Sequence, residues 1–250
     1  MRFEGVAQLA RDEWLSAVTG IPSWKLSVES VGSRVTNLPE LGDTPWFAYA
    51  KVDTDCIEQA NYLSSLGFYV ATTELTFSAD LNEGWPLSGC VRKARPEDED
   101  AVAEIAAHAF VHDRFHKDPV LQAQAGRIKK GWAANYFRGT RGDSMIVHVE
   151  DGRVRGFVQL LLHGEDLVID LIAVEGAACR KGIGSSLISS LAKLFPEARR
   201  VLVGTQVTNI PSLSLYGRFG FRMIRSNYVL HATADAIAGS RGGQPTGKAE

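Results

Sequence analysis

Residues Cys179 to Phe195 read CRKGIGSSLISSLAKLF, and the apolar run LVIDLIAV, Leu167 to Val174, lies just ahead of them. The order is strand, basic glycine turn, amphipathic helix. A helix N-terminus presents unpaired backbone N–H groups and a partial positive charge. Glycine lets an anion approach the backbone closely, and Gly182 and Gly184 stand two apart at the helix start. Arg180 and Lys181 add positive charge. The expected ligand of Arg180, Lys181, Gly182, Ile183, Gly184 and Ser185 is therefore phosphorylated. On this stretch alone the glycines have a second explanation, because a tight turn needs them anyway.

Two familiar phosphate-binding patterns are excluded by context. A dinucleotide fingerprint requires three spaced glycines inside a parallel βαβ unit. Here Ser185 and Leu187 follow instead of a third glycine. The upstream segment SMIVHVEDGRVRGFVQLLL, Ser144 to Leu162, predicts two antiparallel strands around Asp151-Gly152, a strong hairpin signal. No Gly-Lys-Ser/Thr triplet of a P-loop occurs.

Composition bounds the class. The chain has 250 residues, 45% of them hydrophobic and 22% charged, with a formal net charge of -2. That is the profile of a globular protein with no overall pull toward nucleic acid or an anionic membrane. Three cysteines, Cys56, Cys90 and Cys179, show no paired metal spacing and fit a reducing cytoplasm. The N-terminus MRFEGVAQLARDEWL lacks an apolar signal core, and no apolar run approaches the roughly 20 residues of a membrane helix.

Residues 1–88 are expected to form an N-terminal α/β domain. PWFAYAKV predicts a strand, DTDCIEQANYLSSLG a helix stopped by Gly67, and FYVATTELTF a second strand. SADLNEGWPLSG, Ser78 to Gly89, interrupts the pattern. Residues 89–232 form the second expected domain. It starts with the short strand CVRKA, the helix RPEDEDAVAEIAAHAF, the loop VHDRFHKDP and the helix VLQAQAGRIKKGWAANYFRG. The Gly- and polar-rich stretch 233–250 is expected to be a disordered tail.

The segment after the opening stretch is the most specific. RRVLVGTQV predicts a strand. TQVTNIPSLSLYGRFGF, Thr205 to Phe221, then sets Asn209 at a helix start, Tyr216 seven residues on and Gly220-Phe221 at the exit into a strand. Together with the hairpin and the RKGIGS turn, this ordered pair of motifs resembles the GNAT acetyltransferases over roughly residues 90 to 232. The resemblance implies an α/β (α+β) fold: a mixed, mostly antiparallel central sheet flanked by helices, here with a smaller N-terminal α/β domain. It further implies a β-bulge that frees backbone amides at Ile172, Ala173 and Val174, a glycine turn holding the pyrophosphate of acetyl-CoA, and Asn209 and Tyr216 at the pantetheine arm and sulfur. One departure stands out. The family's turn begins with Arg or Gln three residues before its first glycine, and here that position is Cys179.

A narrower resemblance lies outside that core. HDRFHKDP, His112 to Pro119, GWAANYFRGT, Gly131 to Thr140, and LSSLGFYVATTELTF are similar to the TDP-4-amino-4,6-dideoxysugar acetyltransferases. The implied acceptor is a small amine on a nucleotide-linked sugar. Arg114, Phe115, His116 and Asp170 are the expected acceptor-site residues, with His116 and Asp170 the candidate bases. The implied mechanism is direct attack of the amine on the thioester, with Tyr216 protonating the leaving thiolate. A core-packing role for Tyr216 is the alternative.

No metal is expected. His108, His112 and His116 have a spacing that would align on one helical face, but HDRFHKDP reads as a loop that breaks the series. His148 and His163 read as strand-surface residues, and Trp132, Tyr136 and Phe137 as helix core. A GNAT acting on another small amine or a protein amine, and a non-catalytic acetyl-CoA-binding regulator, stay open as alternatives. The expected setting is cytoplasmic, without nucleic-acid or membrane partners, and a homodimer is compatible with it.

Overall fold

A computed structural model describes residues 7–28, 45–81, 85, 90–234 and 236. The chain begins with β1 (Ala7–Arg11), α1 (Glu13–Thr19), β2 (Ser23–Val28), β3 (Phe47–Asp53), α2 (Ile57–Ser65) and β4 (Tyr69–Asp80). Next come β5 (Val91–Lys93), α3 (Glu99–Ala109), α4 (Arg114–Lys117), α5 (Ala125–Phe137), β6 (Ser144–Glu150), β7 (Arg153–His163) and β8 (Asp166–Val174). It ends with α6 (Ile183–Ser189), α7 (Leu191–Leu194), β9 (Arg200–Gln206), α8 (Ile210–Arg218) and β10 (Arg222–Thr233). Among the described residues no helix is long and apolar enough to cross a membrane.

The residues fall into two compact units, Met1–Thr73 with Ser226–Glu250, and Glu74–Arg225. The sequence reading put its boundary at residue 88. The division instead falls inside β4, because this strand continues past Thr73 and pairs Glu74 to Asp80 antiparallel with β9. The C-terminal boundary also differs. Asn227 to Thr233 of β10 pair with β3, so the end of β10 belongs to the first unit. The expected tail lies almost wholly outside the described residues, as does most of the expected break at 78–89.

In the first unit, β1 pairs antiparallel with β2, β2 parallel with β3, and β3 antiparallel with β10. Alternation along β3 buries Ala48, Ala50 and Val52 with Ala60 and Leu63 of α2 and with Phe68, Leu230 and Ala232. The β1–α1–β2 segment was not read from the sequence. Its helix is set by Asp12, whose carboxylate accepts from Leu15 N at 2.9 Å.

In the second unit the strands run in the order β4, β9, β8, β7, β6, β5, and all neighbours are antiparallel except β8 and β9. The sheet is covered on both faces. Ile146, Val158, Leu167 and Ile169 pack with Ile183, Leu187, Ile188 and Leu191 of α6 and α7. Met145, Val147, Phe157, Leu171 and Ala173 pack with Val102, Ile105 and Ala106 of α3 and Ala133 of α5. The β6–β7 hairpin closes on Asp151 and Gly152, both at positive φ (51° and 72°), as a tight two-residue turn requires. Gly156 of β7 lets the glycine-turn helix approach, since a Cβ there would lie 2.9 Å from Ala173 O and 3.0 Å from Ile183 Cγ2.

Candidate active site

The strand β8 is broken in register at one residue. Gln159 pairs with Leu171 and Leu160 with Ile169, so Asp170 has no opposite number on β7. The extra residue reverses the alternation. Leu167 and Ile169 face α6, yet Leu171 and Ala173 face α3 and α5. Parallel pairing with β9 also ends at Ile169, opposite Val203. From Asp170 to Val174 the β8 edge toward β9 has no strand partner among the described residues. Ile172, Ala173 and Val174 thus lie at an opening between two adjacent strands.

The opening stretch meets that end of the sheet. Gly182 is the N-cap of α6 at φ 85°, and no side chain caps the helix. Its first turn, Ile183, Gly184 and Ser185, carries the N–H groups that a helix leaves unbonded. Ser190 has helical dihedrals and bonds back to Ser186, and Leu194 bonds to Ser190, so α6 runs on into α7. Arg180 takes φ 64°, unusual outside glycine, and Gly182 follows with a second positive value. Alternation of this kind is the backbone pattern of anion-binding nests. Gly184 has a further reason to lack a side chain, because a Cβ would lie 3.1 Å from Leu215 Cδ2. Cys179 is exposed, and its thiol donates to Glu175 O at 3.5 Å.

Asn209 caps α8. Its Oδ1 accepts from Ser212 N at 3.3 Å and its Nδ2 donates to Thr205 Oγ1 at 3.1 Å. Tyr216 is 1% exposed, and its ring packs beside Phe77 and Phe221 with centroids 6.2 and 5.4 Å away. Burial pushes the phenol well above its ordinary range, with a hydrogen bond to Ser212 as the smaller, opposing influence. The hydroxyl therefore stays protonated through neutral pH.

The expected acceptor-site residues behave differently from one another. The predicted loop VHDRFHKDP contains α4, a single turn capped by Asp113, which accepts from Phe115 N at 2.7 Å and His116 N at 3.2 Å. Phe115, expected in the acceptor pocket, is instead buried in the core at 1% exposure. Arg114 and His116 are half-buried, and His116 Nδ1 lies 2.9 Å from Asp113 Oδ2. The histidine series does break: α3 ends at Ala109, with His108 against Glu104 and His116 against Asp113. Among the described residues no group of three potential ligands could hold a metal. His148, expected at the strand surface, is buried, and desolvation lowers its pKa.

Sequence reading missed Lys129. It lies on α5 and is buried at 7% exposure. Its ammonium sits 4.6 Å from the Phe110 ring, 4.7 Å from Trp132 and 5.6 Å from Phe115, with Asp113 Oδ2 at 4.0 Å. Burial lowers its pKa more than Asp113 raises it. Between that lowered value and the ordinary lysine value the unfolded chain binds the extra proton. Stability therefore rises with pH across this window, and the cost is fully present below it. Lys129→Met removes the titrating group and is expected to flatten that slope. Chemical denaturation from neutral to alkaline pH checks this, and an unchanged slope would overturn it.

Residues 100–221 match the acetyltransferase (GNAT) family. Over 140 residues the chain is 34% identical to the spore coat polysaccharide biosynthesis protein SpsD of Bacillus subtilis, covering 54% of this chain and 48% of that protein. The chain thus spans about half the length of that relative. It is 26% identical over 223 residues to a dTDP-fucosamine acetyltransferase of Escherichia coli, covering 87% of this chain and 95% of that one. A GCN5-related N-acetyltransferase from Sphaerobacter thermophilus has the same fold, with a TM-score of 0.60 at 12% identity over 92% of this chain and 76% of its own. The bulged and splayed β8 and the uncapped glycine turn before α6 thus lie within an acetyltransferase (GNAT) domain, matched over residues 100–221 of the chain.

Proposed function

We propose that the chain transfers an acetyl group from acetyl-CoA to the 4-amino group of a nucleotide-linked amino-deoxysugar. One observation carries the donor half: the β8 edge opens at the bulge on the same unit that presents the uncapped α6 N-terminus. A thioester laid along Ile172, Ala173 and Val174 would meet backbone donors, which stabilise the oxyanion formed as the amine attacks. Arg180, Lys181 and the N–H groups of Ile183, Gly184 and Ser185 suit a diphosphate. The amine nitrogen bonds to the carbonyl carbon, the C–S bond breaks, Tyr216 donates its proton to the sulfur, and the amine proton leaves to water.

The acceptor half is supported by the two relatives whose names concern polysaccharide biosynthesis and dTDP-fucosamine. Arg114 and His116 are the acceptor-side residues in this reading. An Arg guanidinium can hold a phosphate through two parallel hydrogen bonds. The test is thiol release from acetyl-CoA with a panel of acceptors: TDP-4-amino-4,6-dideoxysugars, free amino sugars, polyamines and a peptide with a free N-terminus. The TDP-amino sugars are expected to give the highest kcat/KM. A higher value for the peptide or a polyamine would move the chain to another amine class. Acetyl-CoA binding without thiol release for any acceptor would make it a regulator.

A further inference from the structure

Asp170 was expected to serve as an acceptor-site base, but its surroundings give it different work. Its side chain is 7% exposed and takes hydrogen bonds from three separate parts of the second unit. Arg141 forms a fork, with Nε donating to Oδ2 at 2.7 Å and Nη2 to Oδ1 at 2.6 Å. Trp132 Nε1 of α5 donates to Oδ2 at 2.8 Å, and Gln159 Nε2 of β7 donates to Oδ2 at 3.2 Å. A carboxylate bound this way is held in one orientation by the planar fork of the guanidinium and by two further N–H donors.

The donors are themselves braced. The Arg141 guanidinium lies 4.9 Å from the Trp132 ring centroid, so the two groups that bind Asp170 also bind each other. Arg141 N donates to Asn135 O at 3.3 Å, which fastens its loop to the end of α5. Gly142, next in the chain, leaves the space that the Gln159 side chain occupies, since a Cβ there would lie 3.0 Å from Gln159 Cγ.

The residue so gripped is the one that makes the bulge. Because Asp170 is the extra residue of β8, its position decides which way Leu171 to Val174 face and where pairing with β9 ends. An inserted residue can slide along a strand, which would turn every following side chain over. We propose that Arg141, Trp132 and Gln159 latch Asp170 to fix the β8 bulge, making Arg141 a positioning residue that acts on the thioester carbonyl through Asp170. The latch itself is a statement about β8, and its effect on the carbonyl rests on the acetyl-CoA reading above.

The experiment uses the full chain as wild type, Arg141→Met and Arg141→Lys. Amide hydrogen exchange without ligand reads the latch directly. Exchange of residues 171–174 is expected to quicken about tenfold or more in Arg141→Met, with residues 145–147 of β6 unchanged, as a local opening would produce. Arg141→Lys, which keeps the charge but not the fork, should fall between. If Arg141→Met loosens β6 as well, the comparison rests on Arg141→Lys. Unchanged exchange at 171–174 in both variants overturns the latch. Infrared spectra of bound acetyl-CoA, labelled with carbon-13 at the carbonyl, read the positioning. Wild type is expected to lower the carbonyl frequency of bound acetyl-CoA, and in Arg141→Met the frequency should relax toward that of free acetyl-CoA, with Kd within about threefold. A carbonyl frequency identical in wild type and Arg141→Met overturns the positioning role. If wild type binds no acetyl-CoA, the donor reading fails, and the positioning role falls with it, whereas the exchange result still decides the latch.

Discussion

Tyr216→Phe is expected to lower kcat roughly ten- to a thousandfold, the usual span of a general-acid contribution, while acetyl-CoA affinity and Tm stay near wild type. The substitution removes one hydroxyl and keeps the ring that packs against Phe77 and Phe221. Burial raises the phenol pKa, which at first sight makes Tyr216 a weak acid. The same loss of solvent raises the basicity of a thiolate formed beside it, so the two shifts offset one another. What burial secures is that the proton is present when the C–S bond breaks. A thioester of a more acidic thiol needs that proton less and should suffer less from the substitution. Turnover of acetyl-CoA and of such a thioester by both proteins provides the comparison. Near-wild-type kcat with acetyl-CoA, under conditions where chemistry limits the rate, would return Tyr216 to a packing role.

Local signals carried much of the fold. Asp151-Gly152 marked the β6–β7 hairpin because both positions need positive φ, which this pair tolerates. Asn209 and Gly220 bracketed α8 because a helix must satisfy its end groups, and Asn209 Oδ1 does cap Ser212 N. The bulge was not legible in the same way. DLVIDLIAV alternates without interruption, so Leu167, Ile169, Leu171 and Ala173 read as one face, yet they divide between two. The available clue was Asp170 itself, a carboxylate in the middle of an apolar strand that must find donors once buried. Its main donor, Arg141, is 29 residues away in a loop, and nothing in local spacing links the two.

The remaining misses have the same origin in tertiary contact. Nothing in the local pattern of AGRIKKGWAANYF marks Lys129 as buried, and it is Phe110 and Phe115, brought in by α3 and α4, that close over it. One helical turn is too short to show periodicity, so α4 read as loop and the burial of Phe115 did not show. The unit boundary hid for a related reason. FYVATTELTF is correctly a strand, but a strand signal does not say that its first half belongs to one unit and its second half to another.

Ser185→Asp should separate helix stability from cofactor binding more sharply than any glycine replacement. Ser185 is the third residue of α6, in the turn where an acidic side chain favours the helix by about 0.3–1 kcal/mol. Tm should therefore stay level or rise. Filling Gly184 would confound the two, because Leu215 already occupies the space its Cβ would need. If the diphosphate of acetyl-CoA sits on this turn, the new carboxylate faces like charge at close range. A repulsion of roughly 3 kcal/mol between unit charges about 5 Å apart near a protein surface makes the expected loss of affinity about a hundredfold or more. Raising the ionic strength should recover part of it, since the turn is open to solvent. Ser185→Asn supplies the control, with nearly the same shape and no charge, and should bind within about threefold of wild type. Calorimetric titration of acetyl-CoA into the three proteins decides the matter. Equal affinity for Asp and Asn at position 185 would remove the diphosphate from the α6 turn and leave the glycines of RKGIGS with only the geometry of the turn to explain them.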